Sequence, residues 1–247
     1  MAAPRFFVPP PFDPSVVGSE FPLPEAPAHH ALRVLRLAVG DPLTLFTGAG
    51  GEFAATLVRA GKRDAWVRLD AYLPVERESA LAMTLVQGIA ATDAMDTIVR
   101  RAVELGVAAI RPVVSARGAR FPAGAHGEKR LAHWRQVAVA ACEQCGRNRI
   151  PAVHGVTDLA DWLRARDATR PGILLDPEAG ASVATLAAPA GAFDLLIGPE
   201  GGLTADEVAR ATRAGLTTAR MGPRVLRTET ASLAALAALN ALWGDFR

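Results

Sequence analysis

The residues best suited to chemistry lie in two short segments near the C-terminal end of this 247-residue chain. The first is Ile197-Gly198-Pro199-Glu200-Gly201-Gly202-Leu203-Thr204. Glycine has no Cβ, so a ligand can come close to the backbone amides of such a turn, and a helix starting just after it offers further unpaired N–H groups. A tight strand-to-helix turn accounts for the same glycines with no ligand. The pattern is not GxGxxG, and no acidic residue ends a second strand about 20 residues on, as a Rossmann site requires. It also lacks the GK[ST] ending of a phosphate-binding P-loop. The second segment is Met221-Gly222-Pro223-Arg224-Val225-Leu226-Arg227-Thr228-Glu229-Thr230-Ala231. Here Arg224, Arg227 and Glu229 interrupt an Ala- and Leu-rich tail, cations that could hold an anion and a carboxylate that could take a proton or orient a donor. The alternative is a solvated loop with an ordinary helix N-cap at Thr228 or Thr230.

Both segments need strands before them and helices after them, and the sequence predicts these. Apolar runs at Ile173–Leu175 and Phe193–Ile197 read as buried strands, and a short strand leads into Met221. Thr204 with Glu207 three residues on reads as a capping box, opening a helix through about Ala214. A last helix is expected from Thr230 to Trp243, with Leu233, Leu236, Ala237 and Asn240 on one stripe and Gly244 as its stop. Upstream, the run LAMTLVQG from Leu81 begins an alternation of strands and helices that predicts an α/β domain with a largely parallel sheet. Asp93 can cap a helix with Met95, Ile98, Val99, Ala102 and Val103 on one face, ended by Gly106, and a strand over Ala109–Val114 follows. A longer helix spans about Glu128 to Gly146. Before Pro74 the texture differs. Short β-type runs at Leu43–Thr47, Phe53–Arg59 and Ala65–Leu73, separated by turn-formers at 48–51 and 61–64, suggest a small barrel, so residues 1–73 and 74–247 are expected to be separate domains.

Composition limits the function classes. An apolar fraction of 50% fills real cores and excludes disorder as the main state. A net charge of +2 excludes a polycation, so any nucleic-acid surface must be local. One local excess exists: residues 100–149 hold nine arginines and Lys129 against Glu104, Glu128 and Glu143, whereas residues 1–73 balance. No apolar run reaches the roughly 18 residues of a membrane span, and the start MAAPRFFVPPPFDP does not read as a secretory signal. A cytoplasmic location follows as the expectation. Cys142 and Cys145, the two cysteines, form one CxxC with no second ligand pair, which favours helix packing over a metal. His29 and His30 suit either a surface role or packing against the barrel, and the four tryptophans are too scattered for a stacking platform.

LIGPEGGLT followed by MGPRVLRTETA resembles the C-terminal signature of the bacterial 16S ribosomal RNA (uracil-N3)-methyltransferases of the SPOUT superfamily. The resemblance extends upstream through Asp96–Val107 (DTIVRRAVELGV) and Ala140–Pro151 (AACEQCGRNRIP). It reaches the start of the chain in Pro4-Arg5-Phe6-Phe7 and in His30–Arg36 with Gly40-Asp41. It implies a PUA-like N-terminal β-barrel, then an α/β domain whose C-terminal part forms a deep trefoil knot. S-adenosylmethionine (SAM) would sit in that knot, in a homodimer with the active site at its interface, and no metal, membrane or DNA is implied. Carried onto this chain, the resemblance places the cofactor against Leu175, Gly198, Pro199, Glu200, Gly201, Gly202, Met221, Gly222, Val225 and Leu226.

Methylation at N3 of a specific uridine in 16S rRNA of the small ribosomal subunit requires loss of the N3 proton. Arg227 is therefore the candidate for holding negative charge on a uracil oxygen, and Glu229 for base or orienter, or else for organising Arg227 or the helix start. For RNA contact the candidates are Arg5, Arg33, Arg36, Arg101, Arg117, Arg120, Arg147 and Arg149. Two other readings stay open: a SPOUT enzyme acting on a different base or a ribose hydroxyl, and a non-catalytic RNA-binding ribosome assembly protein.

Overall fold

The computed structural model describes residues 3–10, 14–62 and 64–246, so Arg63 of the turn expected at 61–64 lies outside the described residues. The chain divides into two compact units, residues 1–78 with 142–150 and residues 79–141 with 151–247. This differs from a division at 73/74, and pairing explains both differences. Arg77 donates to Glu52 Oε2 at 3.1 Å and to Gly146 O at 2.9 Å, Glu78 pairs with Arg147, and Glu76 accepts from Arg149 Nε at 3.0 Å. The link after the last barrel strand is thus fastened to residues 146–149.

The first unit contains β1 (Arg5–Phe7), β2 (Glu20–Pro22), α1 (Glu25–His29) running into a π-helical turn at His30–Val34, β3 (Pro42–Phe46), β4 (Glu52–Ala60) and β5 (Ala65–Leu73). Along β5, Ala65, Val67 and Leu69 are buried while Arg68 and Asp70 are exposed, the period of two that makes a strand with one face in a core. The strands of the expected barrel pair in the order β1-β3-β4-β5-β2, antiparallel except for β1 with β3. Register shifts at Ala54/Ala55 and Leu57/Arg59 leave one extra residue on β5, Asp70, and one on β4, Val58. Phe6, Leu43, Leu45, Leu57, Val67 and Leu69 fill the enclosed core.

The second unit follows the predicted alternation closely: β6 (Met83–Gly88), α2 (Thr92–Glu104), β7 (Ala109–Val114), α3 (Gly124–Cys145, its last turn in the first unit), β8 (Ala152–Val153), β9 (Thr157–Asp158), α4 (Leu159–Ala165), β10 (Gly172–Leu175), β11 (Phe193–Ile197), α5 (Ala205–Arg213), β12 (Leu216–Ala219) and α6 (Thr228–Trp243). Every described strand pair in its sheet is parallel, in the order β12-β10-β11-β6-β7-β8, with β9 beside β7. Parallel sheets carry helices on both faces, which is why all five residues of β11 are buried. Helices α4 and α5 pack together over a cluster holding Val86, Trp162, Leu174, Leu196 and Leu216, while α2 packs against α6. The buried face of α2 is Met95, Ile98, Val99, Ala102 and Val103, as its periodicity predicts, and Gly106 follows the C-cap at φ +78°. Asp194, buried at the head of β11, pairs with Arg166 Nε at 3.0 Å and Arg170 Nε at 2.9 Å.

Helix α4 and the short strands β8 and β9 are absent from the sequence reading, α3 starts at Gly124 rather than at about Glu128, and three further helix details depart from it. The N-cap of α2 is Ala91 rather than Asp93, because the carboxylate serving that helix start comes from Glu200, whose Oε1 accepts the Ala91 N–H at 2.8 Å. Helix α6 begins at Thr228 with Arg227 as its N-cap, and no side chain caps it. Its buried face is Thr228, Ser232, Ala235, Leu236, Leu239 and Asn240, so Leu233 and Ala237 are only half-buried. A helix apolar on nearly every side has little periodicity to orient it.

Candidate active site

Adjacent parallel strands place their following loops side by side, and three of them here build one pocket. The loops after β10, β11 and β12, with the first turn of α6, surround a cavity of about 300 Å³. Its apolar wall includes Leu174, Leu175, Ile197, Leu203, Val208 and Leu226, and Asp176, Glu178, Glu200 and Arg224 supply charge. Nine of the ten residues assigned to cofactor binding line it: Leu175, Gly198, Pro199, Glu200, Gly202, Met221, Gly222, Val225 and Leu226. Gly201 does not. A Cβ there would lie 2.9 Å from both Cβ and the carbonyl oxygen of Arg117, so this glycine lets the loop lie against residues 115–118.

The glycine loop is held from several sides. Glu200 fastens it to the start of α2, as above. The capping box of α5 forms as predicted, with Thr204 Oγ1 accepting from Glu207 N at 3.2 Å and Glu207 Oε2 accepting from Thr204 N at 2.8 Å. Glu207 Oε1 accepts from Ala116 N at 2.8 Å, which ties the loop bearing Arg117 to the same helix start. Beneath, Gly88 at the end of β6 leaves room for Pro199, whose backbone nitrogen would lie 2.6 Å from any Cβ at that position.

Arg227 and Glu229 flank Thr228, which lines the cavity, while neither belongs to the lining itself. Arg227 is exposed and Glu229 half-buried, and neither makes a side-chain hydrogen bond or ion pair to a described residue. Both are thus available to a substrate beside the pocket. In sequence Thr228 reads as no more than a possible helix N-cap, and Gln87 carries no functional motif. The one signal for Gln87 was a lone amide ending an apolar strand run, directly before Gly88.

The arginines assigned to RNA contact separate into two groups. Arg117, Arg120 and Arg36 are exposed with no side-chain partner among the described residues. Arg33 is exposed and among the described residues donates to Lys62 O, Arg101 pairs with Glu104 at 2.7 Å, and Arg149 is exposed beside Glu76. Arg5 and Arg147, in contrast, are structural. Arg5 Nη1 donates to Glu52 Oε2 at 2.5 Å and its Nη2 to Asn148 Oδ1 at 2.6 Å, and the Arg147 side chain is 4% exposed against Glu78. A guanidinium already desolvated against a carboxylate has no fork left for phosphate. Burial raises the Glu52 carboxyl, but donors from Arg5, Arg77 and Asn148 outweigh it and hold its pKa below the usual value.

Neither cysteine forms a disulfide. Burial drives the Cys142 thiol up to about 12, and no group of three or more His, Cys, Asp or Glu side chains among the described residues is placed to hold a metal. Among the described residues no helix is long and apolar enough to cross a membrane.

Comparison with known proteins gives this geometry a family. Residues 77–240 match the model of the RNA methyltransferase domain, and residues 23–70 match the RNA methyltransferase PUA domain. A ribosomal RNA small subunit methyltransferase E from Mycobacterium tuberculosis is 34% identical over 221 residues, covering 86% of this chain and 83% of the relative. The chain belongs to this RNA methyltransferase family. Among solved structures, a ribosomal RNA small subunit methyltransferase E from Neisseria gonorrhoeae bound to S-adenosyl methionine superimposes with a TM-score of 0.93 at 36% identity, each chain covered in full. A putative methyltransferase from Legionella pneumophila, in complex with the same cofactor, gives 0.94 at 33% identity, again over both full chains. Family membership accounts for the α/β unit with its parallel sheet and for the PUA domain that precedes it in the chain.

Proposed function

We propose that this chain methylates N3 of a specific uridine in 16S rRNA of the small ribosomal subunit, using SAM, as a cytoplasmic homodimer. The observation that carries the reading is the single pocket formed at the carboxyl ends of β10, β11 and β12, where open α/β sheets bind ligands. Its lining suits SAM group by group. Apolar side chains suit the adenine, Asp176, Glu178 and Glu200 suit hydroxyl and cationic groups, and Arg224 suits a carboxylate. When bound there, the cofactor supplies a methyl group on a positively charged sulfur.

The chain's own task is to make uracil N3 nucleophilic. Arg227, exposed at the head of α6 with no side-chain partner among the described residues, is the cation that holds negative charge on a uracil carbonyl oxygen as the N3 proton leaves. Glu229, one position inside the helix, takes that proton or orients the group that does. Arg117, Arg120, Arg33, Arg36, Arg101 and Arg149 are the groups left to meet RNA phosphate. The α6 start, bonded through Thr228 to the Gly198 carbonyl, comes after an excursion to the edge strand β12, and this return path suits a trefoil-knotted chain.

The test is transfer of labelled methyl from SAM to small subunits taken from cells lacking the gene, with the product nucleoside identified by mass spectrometry. The expected product is 3-methyluridine, lost or strongly reduced in Arg227→Ala and Glu229→Ala. A 2′-O-methyl or differently methylated nucleoside would overturn the base assignment. Failure to bind SAM would overturn the enzymatic reading altogether.

A further inference from the structure

Beneath the pocket lies a buried chain of hydrogen bonds that the reaction described above does not use. Gln87, Thr228 and Ser232 are 0%, 4% and 0% exposed. Thr228 Oγ1 donates to Gly198 O at 2.6 Å. Gln87 Nε2 lies 2.9 Å from Thr228 Oγ1 and 2.9 Å from Gly88 O. Ser232 Oγ lies 2.6 Å from Gln87 Oε1 and 2.9 Å from Thr228 O.

The directions of these bonds are forced. The Gly198 carbonyl can only accept, so the single hydroxyl proton of Thr228 is committed to it, and Thr228 Oγ1 must itself accept. Gly88 O likewise only accepts. The Gln87 amide therefore turns its NH₂ toward Thr228 and Gly88, and its oxygen faces Ser232, whose single hydroxyl proton is shared between Gln87 Oε1 and the Thr228 carbonyl. With both amide donors facing acceptors that have no proton to offer, the buried amide has one orientation. It fixes the first turn of α6, which bears Arg227 and Glu229, against the Gly198 end of the cofactor loop and the Gly88 end of β6.

We propose that Gln87, acting through Thr228, is a positioning residue for methyl transfer: it sets the α6 head in register with the glycine loop. This rests on the assignment of Arg227 and Glu229 as the groups that meet the uracil. The two donors of Gln87 and the hydroxyl of Thr228 carry the register, while Ser232 only holds the far side of the amide. A displacement of about 1 Å in a reacting group can cost 100-fold in rate.

Kinetics on small subunits, at SAM concentrations saturating for each protein as fixed by its own titration, test the idea. Thr228→Val keeps the shape and removes the hydroxyl. It should lower kcat about 10- to 100-fold, with KM for the subunits within threefold of wild type. Thr228→Ser restores the hydroxyl and should return kcat to within threefold. Gln87→Glu, which keeps at most one donor, should lower kcat in the same direction as Thr228→Val, and Ser232→Ala should lose at least threefold less than Thr228→Val. The proposal falls if Thr228→Val turns over like wild type, if Thr228→Ser fails to rescue, or if Ser232→Ala is as damaging as Thr228→Val. Should Gln87→Glu not fold, the Thr228 pair still decides. An inactive wild type would strike the proposed reaction instead, which keeps the two failures apart.

Discussion

Gly88→Ala tests how closely β6 must approach the cofactor loop. The added methyl carbon would lie 2.6 Å from Pro199 N, 2.7 Å from Pro199 Cδ and 3.0 Å from the carbonyl carbon of Gly198. None of these is the far end of a flexible side chain. To reach ordinary van der Waals contact at 3.4 Å the loop must retreat by roughly 0.8 Å, and Gly198 would draw away from the Thr228 hydroxyl. The φ of Gly88 is not in the left-handed region, so the strain is purely steric. Overpacking of this kind costs about 1–3 kcal/mol, partly offset by the ~0.4–1 kcal/mol that alanine gains through a less flexible unfolded chain. An empty loop can move outward, whereas ligand binding needs it in place, so the cost falls mainly on the bound state. At 1.4 kcal/mol per tenfold, SAM affinity should drop about 5- to 150-fold, while the melting temperature moves by only a few degrees. Calorimetric titration with SAM measures the first and a thermal melt the second. Gly155→Ala, where an added Cβ would meet nothing within 4 Å, is the control and should bind as wild type does. If Gly88→Ala binds SAM within twofold of wild type, the loop is not held where this reasoning puts it.

The division of the arginines predicts that Arg117→Ala and Arg120→Ala each raise KM for small subunits and lessen the salt dependence of binding by about 0.7–0.9 per phosphate contact, with unchanged melting. Arg147→Ala should instead destabilise by about 1.5–3 kcal/mol in chemical denaturation, because it removes the buried guanidinium that pairs with the partly exposed Glu78. For Glu52 the sign of the pH effect follows from a folded pKa lowered below the ordinary 4.5. Its stabilisation is present above that value and is lost as pH falls through the folded one. Glu52→Gln should therefore cost about 3 kcal/mol at pH 7 and progressively less below about pH 4.5, read from denaturation midpoints across that range. Cys142, buried with its thiol at about 12, should be silent to a thiol reagent at pH 8 while half-buried Cys145 reacts, giving one equivalent in the native protein and two in denaturant.

What could be read from the sequence is what depends on near neighbours. The Thr204–Glu207 capping box, the buried face of α2 and the bounds of β7 and β11 are set within a few residues, and the structure reproduces each. Partners far along the chain left no such trace. Arg5 meets Glu52 across 47 positions and Arg147 meets Glu78 across 69, so sequence reasoning listed both as RNA contacts, Arg147 from the basic stretch 100–149, although each is spent on a carboxylate. The same distance hid the cap of α2, which comes from Glu200 across 109 positions, and left Asp93 as the obvious but wrong choice. Gln87 is the sharpest case. Its partners Thr228 and Ser232 stand 141 and 145 residues away, and in sequence it is one amide in an apolar run. Yet a polar side chain ending a strand that will be buried on both faces must find partners, since an unsatisfied amide there costs about 1–3 kcal/mol. That requirement can be stated before any coordinates. Only the fold can name what meets it, and here that is the helix bearing the two residues proposed to act on the substrate.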